Sequence, residues 1–177
     1  MKKLIIAAAI VCAAVVSQAA AVGWTCAGAT DYKGGDYSIF VIGMNGVTDT
    51  AQIMALVEAG GLDAASAYAF DSATVNNSGA ASKPNTTSGK SITWSGSGTD
   101  SYSAFIFVQD VAGENASYTS VASITMDNDA TSKTFGFANQ SANFTANTFT
   151  IGSVPEPTSG LLLLLGVAGL ALKRRRA

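Results

Sequence analysis

From Gly160 to Leu172 the chain runs for thirteen residues without a charged or polar side chain, seven of them leucine, and then meets Lys173-Arg174-Arg175-Arg176. As a helix the run is ~20 Å long at ~1.5 Å per residue, against about 30 Å of hydrocarbon in a bilayer. At about −0.3 to −0.6 kcal/mol each, its leucines contribute roughly −2 to −4 kcal/mol to insertion. Gly160, Gly166 and Gly169 offset part of that. The expectation is a short transmembrane helix that spans marginally, its cations held on the cytoplasmic side. Just before it, Pro155-Glu156-Pro157 is stiff and extended, because each proline fixes its own φ and restricts the residue ahead. Physics alone leaves two readings open: a thinly anchored tail, or a signal that is read and then removed.

The other end is also a targeting segment. Met1-Lys2-Lys3 precedes an uncharged run from Leu4 to Val16, and Ser17-Gln18-Ala19-Ala20-Ala21 follows. A charged start, an apolar middle and small residues at the end form a secretory signal peptide with its signal helix, read by the Sec translocation machinery. Cleavage after Ala19 and cleavage after Ala21 fit equally. Cys12 lies inside the apolar run, preceded by Val11, which argues against a lipoprotein site.

At the C-terminus, Val154-Pro155-Glu156-Pro157, then a short Leu/Gly/Ala helix, then the Lys173–Arg176 cluster resemble the PEP-CTERM sorting domain of Gram-negative bacteria. The resemblance implies recognition by an exosortase, a membrane-embedded cysteine protease, with cleavage near the sorting motif Pro155, Glu156 and Pro157. Lys173, Arg174, Arg175 and Arg176 would be the cationic stop. It further implies an inner-membrane-anchored precursor, then delivery to the cell surface or extracellular matrix, where exopolysaccharide is the expected contact. The resemblance covers 154–177 and carries no implication for the body. The chain thus divides into a signal peptide (1–21), an exported domain (22–153) and a sorting signal (154–177).

Without its ends the chain is acidic. The whole sequence has a formal charge of −2, but residues 22–154 carry eleven acids and four lysines, a net of −7. A body with no arginine or histidine has no electrostatic footprint for nucleic acid, and self-repulsion keeps it soluble. The absence of histidine also excludes a Ser-His-Asp or Cys-His engine and any His-ligated metal. Cys26 alone outlasts maturation. It reads as a small buried hydrophobe, with pairing between chains as the sharper alternative.

About 130 residues rich in Ser, Thr and Gly make one mainly β domain, β-sandwich-like, with one short helix. Trp24–Cys26 reads as a strand. Tyr37–Gly43 is a continuous β-branched and aromatic run, as in a strand covered on both faces. Further strands are expected at 67–70, 91–95, 102–109, 118–126, 133–138 and 148–152. The helix runs from Asp49 to Ala59. Gln52 stands three residues after Asp49, at capping-box spacing, Ile53, Leu56 and Val57 share a face, and Gly60-Gly61 ends it through a left-handed residue. Residues 75–89 form a long polar loop.

Candidate chemistry is sparse. Asp127/Asp129 and Asp110/Glu114 are the close carboxylate pairs in loops, and two facing carboxylates are what a glycosidase needs. Solvated turn acids are the plainer reading. Asp127-x-Asp129-x-Thr131 begins like a calcium loop but lacks the sixth-position glycine and the closing glutamate. Trp94, Tyr102 and Tyr68 are the rings a sugar would stack on, yet Trp94 shares its side with Ile92, which favours the core. The expectation is a non-enzymatic structural role without metal or cofactor. A carbohydrate-binding or adhesive module is the alternative, and an acid-pair glycosidase stands further back.

Overall fold

The computed structural model describes residues 18–27, 32, 34–74, 85–86, 90–94, 98–127 and 130–152. The expected signal helix up to residue 17, most of the 75–89 loop and the short transmembrane helix lie outside them. The described chain is mainly β, in two sheets.

The larger sheet is built on β2 (Asp36–Val41) and β6 (Asp100–Gln109), labelled by their place in the chain. They pair antiparallel from Asp36 opposite Gln109 to Val41 opposite Ala104. β3 (Asp71–Thr74) flanks β2. The other edge of β6 takes β8 (Ala122–Met126) and then β7 (Asn115–Tyr118), and β10 (Phe149–Thr150) extends the sheet from β7. The smaller sheet centres on β1 (Gln18–Cys26). β9 (Ser132–Phe137) runs parallel to it on one side, with β5 (Ser91–Trp94) and β4 (Asn85–Thr86) antiparallel on the other.

Both long central strands are buried on both faces, as their unbroken apolar runs require. Successive side chains of a strand point to opposite sides, which sorts them into two cores. Tyr37, Ile39 and Val41 of β2, with Ile106 and Val108 of β6, pack in one cluster with Trp24, Ile92, Trp94 and Phe135 of the smaller sheet. Phe40, Phe105 and Phe107 point the other way and meet Ile53, Val57 and Leu62 of the helix α1 (Thr50–Ala65). Phe40 stacks on Phe105 at 5.8 Å and meets Phe107 edge-on at 5.9 Å. Burying a side chain of this size contributes about 1.5–3 kcal/mol. The molecule therefore has three layers, sheet on sheet on helix.

The start of α1 follows its sequence. The Asp49 carboxylate accepts from the Gln52 backbone N–H at 2.8 Å, and the Gln52 side chain reaches back to the N–H of Thr48, one residue earlier than the capping-box spacing implies. Gly60 and Gly61 leave helical geometry, Gly61 at φ 70° and ψ −169°. The helix breaks where expected, then resumes for one turn from Leu62 to Ala65, because Leu62 and Ala65 are also buried against the sheet.

Other boundaries moved. Residues 66–68 form a 3-10 turn, and the strand expected at 67–70 starts at Asp71, so Phe70 is inserted into the core instead. The strand expected over 118–126 is split at Thr119. There the hydroxyl of Thr119 accepts from the Ile106 N–H at 3.0 Å, while its own N–H donates to the Ile106 carbonyl at 2.9 Å. A side chain takes the place of a main-chain carbonyl, and the edge of β6 passes from β7 to β8. A short helix, α2 (Ser141–Ala146), sits in a stretch without apolar periodicity and is pinned by buried Phe144. β1 begins at Gln18, six residues ahead of the expected Trp24. No helix among the described residues is long and apolar enough to cross a membrane.

Candidate functional site

The body's last described residues are tied down at two points. Phe149 of β10 pairs with Ala116 of β7 and lies edge-on to Phe107 at 6.2 Å. The Ile151 N–H donates to the Glu114 carbonyl and the Gly152 N–H to the Glu58 carbonyl of α1, both at 2.8 Å. Gly152 adopts φ 72°, a left-handed geometry that glycine reaches without strain. The last described residue, Gly152, is thus fixed beside α1. From Gly152 to Pro155 there are three residue steps, a reach of about 10 Å when fully extended.

The β6–β7 turn beside Ile151 is held by Asp110. Its carboxylate accepts from the backbone N–H of Glu114 at 2.9 Å and of Asn115 at 3.1 Å, and from the Asn115 side chain at 2.9 Å. Burial pushes the Asp110 carboxyl up, but these hydrogen bonds outweigh it and hold it below the usual carboxylate range. Glu114 is exposed, and its N–H, not its carboxylate, engages Asp110. The pair acts as a turn clamp in this geometry.

The other candidates are spread over the fold. Asp127 lies 3.5 Å from the Lys133 ammonium across the β8–β9 turn, and Asp129 is outside the described residues. Trp94 is 4 % exposed and packs in the inter-sheet core beside Ile92, so its face is closed to a sugar ring. Tyr102 and Tyr68 are half-buried and pack against opposite faces of the larger sheet, so they do not form one platform. Cys26 is 1 % exposed, and burial pushes its thiol up to about 12, which keeps it protonated and out of reach of a second chain. A shallow depression along β2 and β3 is lined by Asp36, Ser38, Asp63, Ser66, Ser72 and Thr74. Its polar groups already serve one another: Ser38 with Ser72 at 2.8 Å, Thr74 with Asp36 at 2.7 Å, and the Ser66 hydroxyl to the Asp63 carbonyl at 2.7 Å.

What remains is the segment that follows the last described residue. Residues 153–176 match the family model of the PEP-CTERM protein-sorting motif. The tail is a PEP-CTERM sorting motif. It holds Pro155, Glu156 and Pro157 and the cationic Lys173, Arg174, Arg175 and Arg176, all outside the described residues. The motif marks the chain as an exported protein, processed at the membrane with an exosortase as its partner. No curated protein and no solved structure matches the chain. Among the described residues Gly152 is the last, and the matched motif starts at the next position, Ser153.

Sequence reasoning found the motif because it is contiguous. It missed the anchoring of Gly152 on Glu58, whose partners stand far apart along the chain and show no pattern. The clamp by Asp110 had a local signal, an aspartate four residues ahead of the N–H it accepts from, which is ordinary turn chemistry.

Proposed function

We propose that this protein is a structural cargo of the exosortase pathway in a Gram-negative bacterium. The signal peptide of residues 1–21 takes the chain through the Sec translocation machinery. The short transmembrane helix then holds the precursor in the inner membrane, with Lys173–Arg176 on the cytoplasmic side and the body outside. The exosortase cuts near Pro155-Glu156-Pro157, and the body passes to the cell surface or extracellular matrix. There it acts by presence and contact, without catalysing a reaction. One observation carries the reading: residues 153–176 match the PEP-CTERM sorting motif, with its Pro155-Glu156-Pro157 and its cationic end. The non-enzymatic part is supported by a chain without histidine, whose loop acids Asp110 and Asp127 are engaged in a turn and an ion pair. The matrix destination is supported by an acidic body that repels itself and stays dispersed.

Mass spectrometry of the C-terminus of surface-extracted protein tests the proposal. A terminus close to Pro155-Glu156-Pro157 is the expected result. Material that still ends in Arg174-Arg175-Arg176-Ala177 makes the tail a plain anchor and sinks the sorting step. Replacing Pro155 and Pro157 together by alanine lets the segment continue as helix. Full-length precursor should then accumulate in the membrane.

A further inference from the structure

The small residues ahead of Val22 offer two export cuts of equal chemical merit, after Ala19 or after Ala21, and the fold separates them. β1 starts at Gln18, inside the segment either cut removes in part. Gln18, Ala19, Ala20 and Ala21 stand opposite Trp94, Thr93, Ile92 and Ser91, and among the described residues these four pairs make up the register between β1 and β5. Among the described residues β5 pairs with no other strand. Ala20 is fully buried in the inter-sheet core, beside Ile92 at 1 % exposure, whereas Ala19 and Ala21 are exposed. The Ala21 N–H also donates to the Thr131 carbonyl at 3.1 Å, just ahead of β9.

From this register we infer that the signal peptidase hydrolyses the Ala19–Ala20 bond and leaves Ala20 and Ala21 on the mature protein. The inference rests on the export reading above. One water adds across the bond, leaving a carboxylate on Ala19 and an ammonium on Ala20. The mature strand keeps Ala20 opposite Ile92 and Ala21 opposite Ser91, and the residues lost are half-buried Gln18 and exposed Ala19. A cut after Ala21 instead strips β5 of every register partner. The main-chain groups of Ile92 then lose their strand, and the new ammonium falls on Val22, which is 1 % exposed. A precursor is cut while unfolded, so the residues around the bond select it. The folded body shows which bond leaves a chain able to complete its sheet.

N-terminal sequencing of the protein recovered outside the cell is the test. A first residue of Ala20 supports the inference, and one upstream of it other than Met1 places the cut at another bond and overturns it. A first residue of Val22 overturns it. An uncut chain starting at Met1 overturns the export reading and the cut with it, so the two failures are distinct. Two variants of the full chain add an independent readout. Signal peptidases need small residues at the first and third positions before the bond. Ser17→Gln, at the third position before the Ala19–Ala20 bond, should block maturation and accumulate precursor. Ala21→Gln, at the first position before the alternative bond and exposed in the fold, should mature normally. The opposite pattern overturns the assignment.

Discussion

The indole N–H of Trp24 donates to the carboxylate of Asp71 at 2.9 Å, and this bond crosses from one sheet to the other. Trp24 is in β1 and fully buried, while Asp71 opens β3 at the edge of the larger sheet, 47 residues further along. A large apolar ring fills the space between the sheets, and its one polar atom is tied to the opposite sheet. Burial and the cross-sheet bond thus act in the same side chain.

Asp71→Ala should therefore destabilise the body by about 1.5–3 kcal/mol, since a buried donor loses a charged acceptor. The double variant with Trp24→Phe should lose less than the sum of the two single losses, because the donor is gone as well. Urea midpoints of the four proteins give the coupling. Strict additivity would mean that the bond does not contribute.

Gly61 should not tolerate a side chain. Its φ of 70° and ψ of −169° lie in a region essentially reserved for glycine, and an added Cβ would stand 2.7 Å from Gln109 Oε1. That same oxygen accepts the Leu62 N–H at 2.7 Å and so holds the turn that restarts α1. Gly61→Ala should cost about 1–3 kcal/mol, read as a lowered urea midpoint. An unchanged midpoint would show that the break in α1 does not require glycine.

The Asp110 clamp predicts a pH dependence. The folded-state pKa is depressed below that of the unfolded chain, so the clamp's contribution is present above the ordinary carboxylate range and fades as pH falls through the folded value. Between about pH 5 and 2 the native protein should lose stability more steeply than Asp110→Asn, which has no charge to titrate. Parallel slopes in urea titrations across that window would contradict the assignment.

Cys26 should be inert. With its thiol pushed up to about 12 and its side chain in the core, a maleimide at neutral pH should leave the folded protein unlabelled and react fully in urea. Labelling of the folded protein, followed by mass spectrometry, would instead show that the end of β1 opens.

Contiguous signals were legible in the chain itself. The PEP-CTERM motif, the Asp49–Gln52 cap, the glycine break in α1, the doubly covered run of β2 and the long strand β6 each depend on neighbours within a few residues. Their chemistry is local, so order alone specifies it. The tertiary structure decided what distant residues do to one another. It placed Trp94 in the core, turned Asp110 into a turn clamp and split a strand at Thr119 because a hydroxyl there reaches Ile106. It also drew Gln18–Ala21 into a strand, where they pair with β5, which among the described residues has no other partner strand. A stretch of small residues reads as a cleavage region from its composition. Hydrogen-bond pairing across the sheet shows that the same stretch is part of β1.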